Sequence, residues 1–89
     1  MDYCTTNLPL AAAIIAASKL KLLRIDATLT QATMVFEDPS DLGTALELDF
    51  LNGQLMVPAS AYNIQLRAMR RQVEIKLSNA RKIGGGREQ

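Results

Sequence analysis

A chain of 89 residues, 48% hydrophobic and with a formal net charge of +1, makes one small domain. Such a chain buries about 60–65% of its unfolded surface and holds a net stability on the order of 5 kcal/mol. The near-neutral balance gives no global field for a nucleic acid or a membrane surface. The absence of histidine excludes Ser–His and Cys–His nucleophile pairs, as well as zinc sites built from His and Cys. The lone cysteine, Cys4, excludes an intrachain disulfide and points to a reducing, cytoplasmic setting.

Residues 1–6 read as a loose lead-in. Thr6 or Asn7 can cap a helix whose first turn holds Leu8 and Pro9, and the spacing of Leu10, Ala11, Ile14, Ile15 and Ser18 carries it to about Lys19. The helix is apolar over most of its circumference, which predicts burial on more than one side. The run is too short to span a bilayer. Asp2 stands where a secretory leader would carry basic residues, so neither a membrane span nor a signal peptide is expected.

An antiparallel hairpin follows. Leu23, Ile25 and Ala27 alternate with Arg24, Asp26 and Thr28. After a turn near Leu29 and Thr30, Ala32, Met34 and Phe36 alternate with Thr33, Val35 and Glu37. Asp38-Pro39-Ser40-Asp41 then reads as a helix start, with Asp38 as cap and Pro39 in the first turn. Leu42, Ala45, Leu46, Asp49 and Phe50 fall on one side of that helix, and Asn52-Gly53 ends it. Residues 54–57 are predicted to be a short edge strand.

The last long segment runs from Pro58 to about Lys82. Tyr62, Leu66, Met69, Val73, Leu77 and Ala80 are spaced four, three, four, four and three apart, so they form one stripe of an amphipathic helix. A polar flank holds Arg67, Arg70, Arg71, Ser78 and Arg81, with Glu74 among them, and Lys82 joins Arg81 in the last turn. A third patch, Ile64, Ala68 and Ile75, lies away from the main stripe. It marks a contact either with the same core or with a second partner, such as another copy of the chain. The glycines at 84, 85 and 86 end the helix. The expected order is α-β-β-α-β-α: an α+β fold with a small antiparallel sheet of two or three strands covered by helices, over residues 1–83, followed by a flexible tail at 84–89.

Several stretches resemble a family of short prokaryotic and phage domains of unknown function. They are Leu8-Pro9-Leu10-Ala11-Ala12, Leu20-Lys21-Leu22-Leu23, Val35-Phe36-Glu37-Asp38, Phe50 through Val57, and Tyr62 with Leu66 to Arg71. The resemblance implies a compact α+β domain of bacterial or phage origin with no assigned activity.

Chemistry is sparse. Glu37, Asp38 and Asp41 could approach a divalent cation, but capping a helix N-terminus accounts for the same residue types more economically. The triple glycine has neither the strand nor the Lys-Ser/Thr pair of a phosphate loop, and Ser40 and Ser60 have no histidine to activate them. Neither a catalytic residue nor a cofactor or metal site is expected. The sequence therefore predicts a small non-enzymatic protein-interaction or structural module, a homo-oligomer and most simply a homodimer. The alternative is an accessory nucleic-acid binder that uses Arg67, Arg70, Arg71, Arg81 and Lys82.

Overall fold

The computed structural model describes residues 2–84, with side chains described as far as Ala80. The elements are β1 (Asp2–Thr5), α1 (Leu8–Ala16), β2 (Lys21–Ala27), β3 (Ala32–Glu37), α2 (Gly43–Leu51) and α3 (Ala59–Gly84). The fold is α+β. A three-stranded antiparallel sheet in the order β1-β3-β2 carries its helices on one face, and the last helix is the longest.

The third strand is not where the sequence suggested. Residues 54–57 form no strand. Gly53 turns the chain back at φ 73°, the N–H groups of Gln54 and Leu55 both donate to the Asp49 carbonyl, and Pro58 follows without an N–H to offer a ladder. The free edge of β3 is taken instead by the residues read as a lead-in, so the observed order is β-α-β-β-α-α. Asp2 pairs with Glu37, Tyr3 with Phe36, Cys4 with Val35 and Thr5 with Met34. Tyr3 and Thr5 turn toward the helices, which is the period-two pattern in its shortest useful form.

β3 is central, and its composition shows it. Ala32, Met34, Val35 and Phe36 are all buried. On the other side, Ile25 pairs with Met34 and Ala27 with Ala32, and a bulge between Leu22 and Arg24 leaves Leu23 as the extra residue. The bulge shifts the inward register from the expected Leu23 to Leu22, so Leu23 is exposed while Leu22 packs against the core. The hairpin turn is closed by Thr28, whose N–H donates to the Gln31 carbonyl while its hydroxyl oxygen accepts from Thr30 and Gln31 N–H.

α1 begins as expected. The Asn7 side chain accepts from Leu10 N–H at 3.0 Å. Leu10, Ala11, Ala12, Ala13 and Ile14 are five consecutive buried residues, which is the all-round burial that the composition predicted. The helix stops at Ala16, short of the expected Lys19. Ser18 adopts a left-handed φ of 56°, and Lys19 N–H bonds back to Ile14 O while Ser18 N–H bonds to Ile15 O, the Schellman arrangement.

α3 starts one residue after Pro58, whose carbonyl accepts from Tyr62 N–H at 2.9 Å. α1 and α3 pack chiefly on each other. α1 also meets β1, and α3 also meets β2 and β3, while α2 leans on α1. Met69 is fully buried among Leu10, Ala11, Ile14, Ile25, Met34, Phe36 and Leu46, and Val73 and Leu77 pack against the same cluster. The tail beyond residue 84 lies outside the described residues.

Candidate interaction surface on the long helix

All six residues of the α3 stripe face inward: Met69 is buried, and Tyr62, Leu66, Val73, Leu77 and Ala80 are half-buried. The third patch faces away from them. Ile64 is 64% exposed and Ile75 53%, and Ala68 between them is exposed as well. At about 100° per residue, Ile64 and Ile75 lie within roughly 20° of one line, and Val73 lies about 180° from Ile64. α3 therefore carries two apolar strips on opposite sides, and the fold uses one of them. Ala68 forms a notch walled by Ile64, Arg67, Arg71 and Gln72. Of the two partners the sequence left open for the patch, the chain's own core is thereby ruled out.

Arg67, Arg70 and Arg71 are exposed on the same flank of α3 as Glu74. Arg81 and Lys82, which the sequence placed beside them, have side chains outside the described residues. Other large apolar side chains are exposed around α2: Leu42, Leu48, Leu51 and, beyond the helix, Met56. Leu48 and Leu51 adjoin each other one turn apart, but Leu42 does not continue their line. On a helical wheel Leu48 and Leu51 lie about 120–180° from Leu42.

The acids at the β3–α2 junction take up a structural task. Glu37 is exposed on the strand. Asp41 is exposed at a left-handed φ of 57°, which breaks the expected helix start, so Pro39 is in a turn and α2 begins five residues after Asp38. Asp38 is 1% exposed, and its two carboxylate oxygens accept from Leu42 N–H and Gly43 N–H, each at 2.7 Å. Asp38 thus caps α2 as its residue type suggested, but reaches the helix across a loop. No group of three or more His, Cys, Asp or Glu placed to hold a metal ion occurs among the described residues.

Sequence reasoning missed Tyr3 altogether. The Tyr3 hydroxyl donates to Glu47 Oε1 at 2.6 Å, and its ring lies over Gly43, so β1 and α2 are clipped together across the top of the fold. Burial of the phenol, followed by the hydrogen bond to the Glu47 carboxylate, pushes the Tyr3 hydroxyl from 10.0 up to about 12. The fold favours the neutral phenol. Its contribution is complete below pH 10, the unfolded value, and is lost as pH rises toward about 12. A urea midpoint followed across that window is expected to fall less steeply in Tyr3→Phe than in the wild-type chain. Superimposable profiles would show that the bond does not couple to folding.

No family model, no curated protein and no solved structure matches the chain. Among the described residues, no helix is long and apolar enough to cross a membrane.

Proposed function

We propose that the protein is a small, non-enzymatic interaction module of the bacterial or phage cytoplasm that pairs with a second copy of itself through the outward strip of α3. The observation that carries this reading is the pair Ile64 and Ile75, exposed on one line of a helix whose opposite side is packed into the core.

The order of residues along the strip favours a second copy of the chain as its occupant. A two-fold interface presents one patch to itself, so the patch must read alike in both directions. Ile64 and Ile75 are equidistant from the point between Met69 and Arg70. An antiparallel pair of α3 helices centred there sets each Ile64 against the partner's Ile75, about 16 Å apart along the helix, with the small Ala68 near the crossing. Arg67 and the partner's Glu74 then come within side-chain reach on the rim. Covering this strip stabilises the pair without altering the monomer core.

The strip offers only two large apolar side chains per copy, so the association is weak, with a dissociation constant on the order of 10 μM. In light scattering, Ile75→Asp and Ile64→Asp are expected to hold the chain at monomer mass, with thermal unfolding of the monomer shifted by less than about 0.5 kcal/mol. Val73→Asp, on the core side of the same helix, is expected to unfold the domain instead. Dimeric Asp variants at 64 and 75 would remove the reading.

A further inference from the structure

We infer that pairing through α3 assembles a nucleic-acid backbone site that the single chain lacks: a ridge of arginines drawn from both copies. The inference rests on the homodimer proposed above.

The geometry follows from symmetry. When two antiparallel helices face each other across a two-fold axis, the same flank of each lies on the same side of the pair. In α3 the flanks differ sharply. One holds Arg67, Arg70, Arg71, Glu74 and Ser78, and the other holds Gln65, Gln72, Lys76 and Asn79. Pairing therefore gathers six exposed guanidinium groups against two Glu74 carboxylates along one edge. The opposite edge stays mostly uncharged. A chain of net charge +1 thereby acquires a concentrated cationic strip with no change in its overall balance.

The spacing suits phosphates. Arg67 and Arg71 are about 6 Å apart along the helix, one turn, so their long side chains reach neighbouring phosphates of one strand. Guanidinium forks bind such oxygens in bidentate fashion. The ligand is the sugar-phosphate backbone and not the bases: the flank carries no aromatic side chain on which a base could stack. Antiparallel pairing also sets Arg67 and Arg71 of one copy near those of the other. That like-charge contact is relieved when a polyanion lies across it, so binding of the nucleic acid and pairing of the chains reinforce each other.

The test uses a labelled double-stranded oligonucleotide at low salt, with anisotropy and mass measured on the same samples. The dimeric wild-type chain is expected to bind, with log affinity falling as log salt rises by about 0.9 for each phosphate contact. Ile75→Asp keeps every arginine but is monomeric, and is expected to bind at least tenfold more weakly. Arg67→Gln/Arg70→Gln/Arg71→Gln is expected to remain dimeric, lose binding and flatten the salt dependence. A dimeric wild type that does not bind overturns this inference alone, as does Ile75→Asp binding as well as the wild type while monomeric. A wild type that stays monomeric throughout, with and without the oligonucleotide, overturns the homodimer and this inference with it.

Discussion

Gly43→Ala is expected to destabilise the fold by about 3 kcal/mol, most of the stability that a domain of this size holds. Gly43 is the first residue of α2, and its φ is unremarkable, so backbone freedom is not the reason for glycine here. The reason is space. A Cβ at this position would overlap Cγ and Cδ1 of Tyr3 and lie 2.8 Å from its Cβ. These atoms are the base of the side chain, fixed by the pairing of Tyr3 with Phe36, so the ring cannot swing aside as a flexible tip would. Either β1 leaves the edge of β3 or α2 lifts from the sheet, and in both cases the Tyr3–Glu47 hydrogen bond breaks. The loss corresponds to a drop of roughly 15 °C in the unfolding midpoint. A double-mutant cycle identifies the cause: in a Tyr3→Ala background, Gly43→Ala is expected to cost clearly less, because Cγ and Cδ1 are gone and only the contact with Cβ remains. An equal cost in both backgrounds would place the effect elsewhere.

The second large effect is at Asp38. Replacing it with alanine removes two short hydrogen bonds to a charged acceptor and leaves the N–H groups of Leu42 and Gly43 without that partner at the start of α2. Hydrogen bonds to charged groups contribute about 1.5–3 kcal/mol each, and the unpaired donors add to the loss, so a destabilisation of about 3–4 kcal/mol is expected by urea denaturation. Asp38→Asn separates hydrogen bonding from volume. The amide fills the same space but can accept at one terminal atom only, while Asp38 uses both oxygens. At least half of the alanine loss is therefore expected to remain. If the asparagine variant were as stable as the wild type, packing and not bonding would be the main task of this side chain.

These two positions also mark where the sequence became hard to read. The α3 stripe was plain because the same spacing recurs across more than five turns, and no strand accommodates it. The second strip was plain as a pattern, but whether it met the core depended on which side of α3 the sheet took. The all-round burial of α1 followed from its four alanines and the absence of any charge. By contrast, β1 offers only four residues, and two of them, Asp2 and Cys4, face outward; Tyr3 and Thr5 alone carried its signal. Residues 54–57 imitate a strand through the alternation of Leu55 and Val57, yet β1 holds the edge of β3, and the turn at Gly53 and the missing N–H of Pro58 keep them out of the sheet. The residue type at Asp38 announced a cap, but the left-handed turn at Asp41 that delays the helix is a backbone choice without a strong sequence mark. The Tyr3–Glu47 bond joins residues 44 positions apart and belongs to tertiary structure entirely.

The same distinction separates the parts of the candidate surface. Ile64, Ala68 and Ile75 could be picked out by spacing, as could the arginines beside them. What the fold adds is direction: Ile64, Ala68 and Ile75 are exposed, on the side of α3 away from the core that the described residues build. A long helix with its inner side committed to α1 and the sheet, and its outer side apolar at two matched points, has reason to meet another of its kind.

Sedimentation equilibrium of the unmodified chain over a range of concentrations tests that claim most directly. The account predicts a reversible rise from monomer mass to twice that value, centred on the order of 10 μM, which Ile75→Asp abolishes while the monomer stays folded. A wild-type mass that remains monomeric well above that concentration, or a dimer that persists undiminished in Ile75→Asp, would contradict it.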